Sequence, residues 1–180
     1  YGTSIQAAIG GGILSIGDRM GGLGEQLARS MVERLTAIDA EVDNIGEAAL
    51  ARAAAALVGD AQAEGNRVPG YGIPLHRADP RAPRVLDVAR AEGVFGPYCH
   101  FATLIEAEIA RRRDGRPVAM NLDGVGACVI LDLGFEWRTA RVFLLTARSV
   151  SMAAHYLEEQ SQDTTWRHIP ASQINYTDPA

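Results

Sequence analysis

Residues 121–133, Asn-Leu-Asp-Gly-Val-Gly-Ala-Cys-Val-Ile-Leu-Asp-Leu, form a strongly apolar run that opens with an Asn-Leu-Asp-Gly element. A run with so few polar side chains predicts a buried helix with Asp123 at its entrance. Arg148 follows about one helical hairpin downstream, on the next apolar segment. A carboxylate can move a proton on and off carbon, and an arginine can hold an anionic substrate. The stretch therefore predicts a helical protein that uses Asp123 and Arg148 for carbon acid chemistry.

Each of these residues also has a structural interpretation. Asp123 can cap the helix that it enters, and from the residues alone capping is the better interpretation. Arg148 can pair with a carboxylate in the core. His155, seven positions further along the same helix, is expected to be a hydrogen-bonded packing residue. His168 is open between a surface residue and a contact with a second subunit.

The remaining segments are also helical in character, and strand-like alternation is almost absent. Helices are predicted at 4–16, 23–36, 46–57, 84–91, 103–113, 122–133 and 139–160. Residues 4–16 are nearly all apolar and are expected to be buried on most sides, whereas residues 23–36 carry a single apolar stripe. Residues 65–83 are rich in Gly and Pro and predict a structured loop, a kind of segment that often carries function. The predicted fold class is all-α.

Composition excludes several classes of protein. The net charge is −5 and the basic residues are scattered, which argues against nucleic acid as a partner. All 17 basic residues are Arg, so Schiff-base and P-loop chemistry, which need a lysine, are excluded. Apolar runs fall short of the roughly 20 residues of a membrane span, and the first residues carry no secretion signal. We therefore expect a cytoplasmic protein with no membrane partner.

Metal and dinucleotide sites have little support. Cys99 and Cys128 lack CxxC spacing and are expected to be free thiols, and the four histidines never fall at metal-ligand spacing. The glycine cluster at 17–24 follows a helix rather than a strand, which is unlike a dinucleotide-binding loop. The arginines at 111–113 predict a solvated helix end. We expect no metal and no permanently bound cofactor.

Five short motifs, in order, resemble those of one family. Ile16-Gly17-Asp18-Arg19-Met20-Gly21-Gly22 resembles IGDRFGG, and Val68-Pro69-Gly70-Tyr71-Gly72 with Asp79-Pro80-Arg81 resembles the PG[FY]GH…DPR loop. Residues 121–124 resemble NVD[GF], residues 147–160 resemble the RS.GF..HYL.Q helix, and residues 167–176 resemble RHPWDDISY. Together they resemble the citrate synthase superfamily, and most closely its citryl-CoA lyase branch, which includes the C-terminal module of ATP-citrate lyase.

The resemblance implies a fold and an assembly. We expect a citrate synthase-like helical fold that holds the C-terminal part of the large domain plus the small domain, with the N-terminal helices apparently missing. The small, CoA-binding subdomain is expected at about 23–120, and residues 1–22 and 121–180 are expected to belong to the large subdomain. A homodimer or higher homo-oligomer is also implied.

The resemblance further implies a reaction. Citryl-CoA, or a related 3-hydroxy-3-carboxyacyl-CoA, would be cleaved to acetyl-CoA and oxaloacetate, with the coenzyme A thioester as substrate. Asp123 matches the residue that transfers the carbon proton. The substrate-binding residues implied are Arg81, Arg148 and His76, and the CoA-binding residues implied are Gly70, Tyr71, Gly72 and Arg77.

One departure from the family pattern keeps alternatives open. Most relatives carry, at the position of Ile73, a histidine that polarises the substrate oxygen, and isoleucine cannot donate a hydrogen bond. Whether His76 or His100 replaces it is open. Arg81 can also be a salt bridge that stabilises its loop. The alternatives are a condensing acyltransferase that joins acetyl-CoA to an oxo acid, and a catalytically weakened CoA-binding or scaffold homologue.

Overall fold

The computed structural model describes residues 2–73, 78–162 and 169–177, apart from the side chain of Leu23. Within these ranges the chain is helical, and the extended segments form only isolated bridges. The all-α prediction is confirmed. The α-helices are α1 (Ile5–Leu14), α2 (Leu23–Thr36), α3 (Glu47–Ala63), α4 (Arg81–Ala91), α5 (Pro97–Arg111), α6 (Leu122–Asp132) and α7 (Ala140–Ser161). Three short 3₁₀ helices lie at Val42–Asn44, Trp137–Thr139 and Ala171–Gln173.

The chain divides into two compact units, and the boundary falls inside α7. One unit comprises Tyr1–Ser15 with Leu145–Ala180, and the other comprises Ile16–Leu144. The predicted division into a CoA-binding subdomain and a large subdomain uses different bounds from these packing units, and it stays a prediction.

The core of the Ile16–Leu144 unit surrounds α6. The side chains of Val125 and Cys128 are fully buried, and α2, α4 and α5 all pack against this helix. A helix with partners on several sides must be apolar around most of its circumference, as residues 122–131 are. Phe101 on α5 and Leu27 on α2 are also fully buried, and burial of each such side chain contributes about 1.5–3 kcal/mol.

Polar side chains fix the ends of α5. The carboxylate of Asp132, the last residue of α6, accepts hydrogen bonds from the backbone N–H groups of Gly96, Tyr98 and Cys99 at 2.8–3.0 Å. It thereby satisfies donors that the first turn of α5 leaves free. Pro97 opens this helix, because a missing N–H costs nothing there.

At the other end of α5, Arg112 reaches across to α3. Its guanidinium contacts Glu108 at 2.5 Å and donates to the side chain of Gln62 at 2.9 Å and the carbonyl oxygen of Ala55 at 2.7 Å. Hydrogen bonds from Arg111 and, to a smaller extent, from Arg112 lower the pKa of Glu108 to about 2. The run at 111–113 ends a helix as predicted, but Arg112 joins two helices rather than being merely solvated.

The unit formed by residues 2–15 and 145–177 has no comparable core. None of the residues of α1 is buried, so the expectation that residues 4–16 are buried on most sides is wrong within the described chain. Met152 packs directly over Gly12, where a Cβ would come within 2.6 Å of the methionine sulfur. The hydroxyl of Tyr156 donates to the carbonyl oxygen of Thr3 at 2.9 Å, while Leu14 remains 87% exposed.

The two cysteines are free, as predicted, and the structure places both in the core. A hydrogen bond with Cys128, together with burial, raises the pKa of the Cys99 thiol far above its ordinary value. Among the described residues, no helix is long and apolar enough to cross a membrane, and no group of His, Cys, Asp or Glu is arranged to hold a metal ion.

Candidate functional site

The start of α6 is organised by Asn121, which is its N-cap. The Asn121 Oδ1 atom accepts hydrogen bonds from the backbone N–H groups of Asp123, at 2.9 Å, and Gly124, at 3.2 Å. Asp123 is therefore the second residue of the helix and not its cap, so the capping interpretation is wrong. Its carboxylate lies in the first turn, where the positive end of the helix dipole favours an anion.

The loop at Gly70–Gly72 is bonded to the segment that enters α6. The backbone N–H of Gly72 donates to the carbonyl oxygen of Ala119 at 2.8 Å, and that of Asn121 donates to Gly70 at 2.9 Å. The Asn121 side-chain amide donates to the carbonyl oxygen of Gly72 at 2.6 Å. Asn121 thus holds both the first turn of α6 and the predicted CoA loop.

Glycines allow this approach of backbone to backbone. Gly70 has φ +83°, a conformation that side chains oppose, and a Cβ there would lie 2.7 Å from the Cα of Gly124. A Cβ on Gly124 would in turn lie inside contact distance of the Gly70 carbonyl oxygen and 2.6 Å from Cγ of Met120. On α2, a Cβ at Gly24 would approach the carbonyl oxygen of Asp123 to 3.1 Å. The start of α2, the loop and the start of α6 therefore meet around Asp123.

Asp79 and Arg81 form a salt bridge beside this junction. Nε and Nη2 of Arg81 both donate at 2.8 Å to the two oxygens of the Asp79 carboxylate, which is only 2% exposed. The hydrogen bond with Arg81 holds the pKa of Asp79 at about 2, and burial works against it. The interpretation of Arg81 as a stabilising salt bridge is thus confirmed. A second role as a substrate clamp stays a prediction.

Arg81 also lies near the predicted catalytic carboxylate. Its pKa is raised first by the hydrogen bond with Asp79 and, among the smaller causes, by the negative charge of Asp123. The Arg81 side chain is 53% exposed, so its guanidinium is anchored on one side and open to solvent on another. Arg81, Asp123 and the Gly70–Gly72 loop are the predicted site residues that the structure brings together.

The other predicted substrate arginine belongs to the other compact unit. Arg148 lies in α7 with an exposed side chain, and in the described part of the chain it forms no ion pair. The alternative that it pairs with a core carboxylate concerns the other unit and stays a prediction. His155 is 80% exposed with its Nδ1 atom 3.4 Å from Glu158, so it is not a packing residue. His76, Arg77 and His168 lie outside the described residues.

Tyr71 points into the core rather than toward a ligand. The residue is 8% exposed and its hydroxyl donates to the carbonyl oxygen of Ala102 at 2.8 Å. Burial raises the pKa of this phenol well above its ordinary value. Any contact of residue 71 with CoA therefore has to come from the backbone. His100, one candidate for the missing histidine, contacts Glu47 in the first turn of α3 at 2.5 Å.

The turn at 16–22 leads into α2. Gly17 and Met20 exchange two backbone hydrogen bonds at 3.0 and 3.1 Å, which leaves the Met20 side chain 74% exposed. The carboxylate of Asp18 pairs with Arg141 at 2.7 Å, and Arg141 Nε lies 3.2 Å from Glu25. These ion pairs fix the turn against the first residues of α7.

Sequence reasoning assigned no separate role to Asp79, Asn121 or Gly124. The signal for Asn121 was present, since an Asn two residues before an acidic first-turn residue is a common helix start. The close approach of Gly124 to Gly70 had no local sequence signal, because the two glycines are far apart in sequence and meet only in the folded chain.

Comparison with known proteins identifies the family. Residues 2–169 match the family model described as citrate synthase, C-terminal domain. The chain belongs to the citrate synthase family. The citrate synthase-like fold and the resemblance to the citryl-CoA lyase branch are thereby confirmed.

Solved structures of this family superpose closely. The citryl-CoA lyase from Hydrogenobacter thermophilus is 25% identical with a TM-score of 0.81, and the match covers 99% of this chain and 66% of that one. An ATP citrate lyase from Methanothrix soehngenii is 20% identical with a TM-score of 0.75, covering 99% of this chain and 29% of that one. The citrate synthase from Thermotoga maritima is 20% identical with a TM-score of 0.63, covering 90% and 42%. At 20% identity the last two show the fold alone. No curated protein sequence matches.

Proposed function

We propose that this member of the citrate synthase family cleaves citryl-CoA, or a related 3-hydroxy-3-carboxyacyl-CoA, to acetyl-CoA and oxaloacetate. The observation that carries the proposal is the match of nearly the whole chain to a citryl-CoA lyase, at a TM-score of 0.81. The clustering of Asp123 with Arg81 at the start of α6 supports it, because this reaction needs a carbon acid and a carboxylate-binding cation.

The proposed reaction has two proton transfers around one bond cleavage. The tertiary hydroxyl of citryl-CoA passes its proton to solvent water, which also reprotonates Asp123 after each turnover, and the electron pair of the O–H bond forms the carbonyl of oxaloacetate. The carbon–carbon bond breaks and its electrons move into the thioester, giving the enolate of acetyl-CoA. Asp123, in its protonated form, then donates a proton to the enolate carbon. An acid positioned in this way contributes about 10²–10⁴-fold to the rate.

Arg81 would bind a carboxylate of the substrate through the part of its guanidinium that does not face Asp79. Two of its nitrogens are directed at Asp79, which fixes the plane of the fork and so the direction of the third nitrogen, Nη1. Arg148 and His76 would supply further contacts to the oxo-acid half of the substrate. An arginine suits this task because its planar fork matches a carboxylate in two points.

The CoA moiety would lie against the loop that begins at Gly70. Gly70 and Gly72 both have positive φ, and the sides on which a Cβ would stand are filled by Gly124 and Leu27 at Gly70 and by Val118 at Gly72. CoA would therefore contact the other side of this backbone. Tyr71 would contribute only through its main chain, since its ring is buried. Arg77 would supply a cation for the CoA phosphates.

The test is the release of oxaloacetate from citryl-CoA, followed as NADH oxidation in the presence of malate dehydrogenase. We expect turnover in the wild type and its loss in Asp123→Asn, with CoA affinity retained. The matched control is Asp132→Asn, because this carboxylate lies at the far end of the same helix and caps α5. Wild-type turnover that survives in Asp123→Asn would contradict the assignment of Asp123, and no wild-type turnover would contradict the reaction.

Ile73 favours a second candidate, a homologue that binds acyl-CoA without efficient chemistry. The aliphatic side chain is partly buried and offers no hydrogen bond to the substrate oxygen. An Ile73→His variant separates the two candidates. If the chain is a weakened homologue, this variant gains turnover that the wild type lacks. If another residue has taken over the role, the wild type is active and Ile73→His changes its rate little.

A homodimer or higher homo-oligomer belongs to the same proposal. Helix α1 is apolar in sequence but has no buried residue. Leu14 on α1 is 87% exposed, and Val150 on α7 is 70% exposed. Exposed apolar side chains of this kind typically mark an interface between subunits when they form one patch. Light scattering on a size-exclusion column checks the assembly, and a monomer at micromolar concentration would contradict it.

A further inference from the structure

Asp79 is the one charged residue that is buried among the described residues, and its position ties two parts of the site together. An ionised carboxylate is costly to bury unless donors surround it. Within the described ranges, the donors to Asp79 come from two residues, Arg81 and Leu122.

The two oxygens of Asp79 have separate tasks. Oδ1 accepts from the backbone N–H of Arg81 at 3.0 Å and from its Nε at 2.8 Å. Oδ2 accepts from Nη2 of Arg81 at 2.8 Å and from the backbone N–H of Leu122 at 3.0 Å. Arg81 is the first residue of α4, and Leu122 is the first residue of α6 and the direct neighbour of Asp123. One carboxylate therefore fixes the start of both helices and the orientation of the guanidinium between them.

We propose that Asp79 is a positioning residue: it holds the Arg81 guanidinium, beside the first turn of α6 that carries Asp123, in the orientation that the reaction requires. The inference rests on the proposed function. It adds the residue that sets the geometry between Arg81, which would bind a substrate carboxylate, and Asp123, which would protonate carbon. Without Asp79, the half-exposed Arg81 side chain would sample many rotamers in solvent. The N–H of Leu122 would lose its partner at the same time.

This role differs from that of a simple structural link between α4 and α6. A link would stabilise the fold whatever the side chain at 81, whereas a positioning residue acts through Arg81 and has nothing left to position once Arg81 is removed. The two possibilities therefore give different results in a double-mutant cycle. Asp132 provides the matched comparison, since it also accepts several backbone N–H groups but lies about 14 Å along α6 from Asp123.

The experiment measures kcat and KM for citryl-CoA in the intact protein for wild type, Asp79→Asn, Arg81→Ala, the double variant and Asp132→Asn, with folding checked by circular dichroism. We expect Asp79→Asn to lower kcat/KM by about 10–100-fold, as displacement of binding groups by about 1 Å does. The double variant should equal Arg81→Ala within about twofold, and Asp132→Asn should leave kcat/KM within about threefold of wild type. Losses that multiply in the double variant would overturn the inference while leaving the lyase reaction intact.

Two further measurements keep the outcome decisive. If Asp79→Asn does not fold, Arg81→Lys takes its place, since lysine keeps the charge but cannot face Asp79 with a planar fork. Full activity in Arg81→Lys would overturn the inference, and a loss of about 10-fold or more would support it. An inactive wild type would mean that the proposed function itself has failed. In that case calorimetry measures the affinity of the same variants for oxaloacetate. Equal affinities in all variants would overturn the inference.

Discussion

Replacing Gly124 by Ala tests the close approach on which the site depends. In an ordinary helix this change stabilises the protein by up to about 1 kcal/mol, because alanine has the better helix propensity. Here the added Cβ would lie closer than 3.0 Å to the carbonyl oxygen of Gly70 and 2.6 Å from Cγ of Met120. Protein Cβ atoms do not come this close to backbone, so the loop at Gly70 has to move by several tenths of an ångström.

The cost follows from what the movement breaks. Overpacking of a filled site costs about 1–3 kcal/mol. The displaced Gly70 carbonyl also accepts the backbone N–H of Asn121 at 2.9 Å, and weakening that bond costs about 0.5–1.5 kcal/mol. After the gain in helix propensity, we expect Gly124→Ala to lower the free energy of unfolding by about 1–3 kcal/mol. The loop displacement should also weaken acyl-CoA binding.

Gly126 provides the control within the same helix. A Cβ at Gly126 meets no atom within 4 Å, so Gly126→Ala should be neutral or should stabilise by up to about 1 kcal/mol. Urea denaturation followed by circular dichroism gives both free energies, and fluorescence titration with acetyl-CoA gives the affinities. If Gly124→Ala is as stable as Gly126→Ala and binds acetyl-CoA like the wild type, the described packing of the loop on α6 is wrong.

Three other outcomes are expected. In steady-state assays Asp123→Asn should lower kcat for citryl-CoA by about 10²–10⁴-fold with CoA affinity unchanged. A rate within tenfold of wild type would contradict the proposed role of Asp123. Because the pKa of Asp79 is lowered to about 2 in the folded chain, its contribution to stability, about 2 kcal/mol, is present above pH 4 and is lost as the pH falls toward 2. The stability difference between wild type and Asp79→Asn in urea should shrink over that range, and a constant difference would contradict this account. Arg112→Ala should destabilise the protein by about 1–3 kcal/mol in thermal unfolding, because Arg112 joins Glu108 to α3. Arg113→Ala is the control and should cost less than about 0.5 kcal/mol. Equal losses in the two variants would show that the contact is unimportant.

Local sequence predicted helices well where local physics determines them. The bounds of α2 agree with the prediction at both ends, since its apolar stripe and good helix formers need no distant partner. The starts of α4 and α5 were predicted three and six residues too late. At α4 the contact is local, because Asp79 accepts the N–H of Arg81 two residues later, whereas at α5 a carboxylate from elsewhere, Asp132, accepts the free N–H groups of the first turn. Such tertiary capping cannot be deduced from local propensity.

The same limit applies to the site. Asp123 and Arg81 could be found from the motifs, because acid and arginine are the residue types that the chemistry needs. The tasks of Asn121 and Asp79 could not, because each depends on a contact across 43–49 positions of sequence. Burial of α1 was wrongly expected for a related reason: apolar composition predicts that a surface will be covered, but it does not name the residues that cover it.

Charge explains why the proposed site needs more than this cluster. Asp79 neutralises Arg81, so the pair attracts a substrate carboxylate much less strongly than a lone arginine would. Asp123 adds a negative charge when it is ionised and none when it is protonated. The proposed cleavage requires Asp123 to be protonated at the start, and the cluster would then be neutral when the anionic substrate arrives. The N-terminal ends of α4 and α6 then contribute about half a positive charge each. Condensation begins with the ionised acid and a net negative cluster. A substrate with several carboxylates therefore needs a cation from outside the cluster.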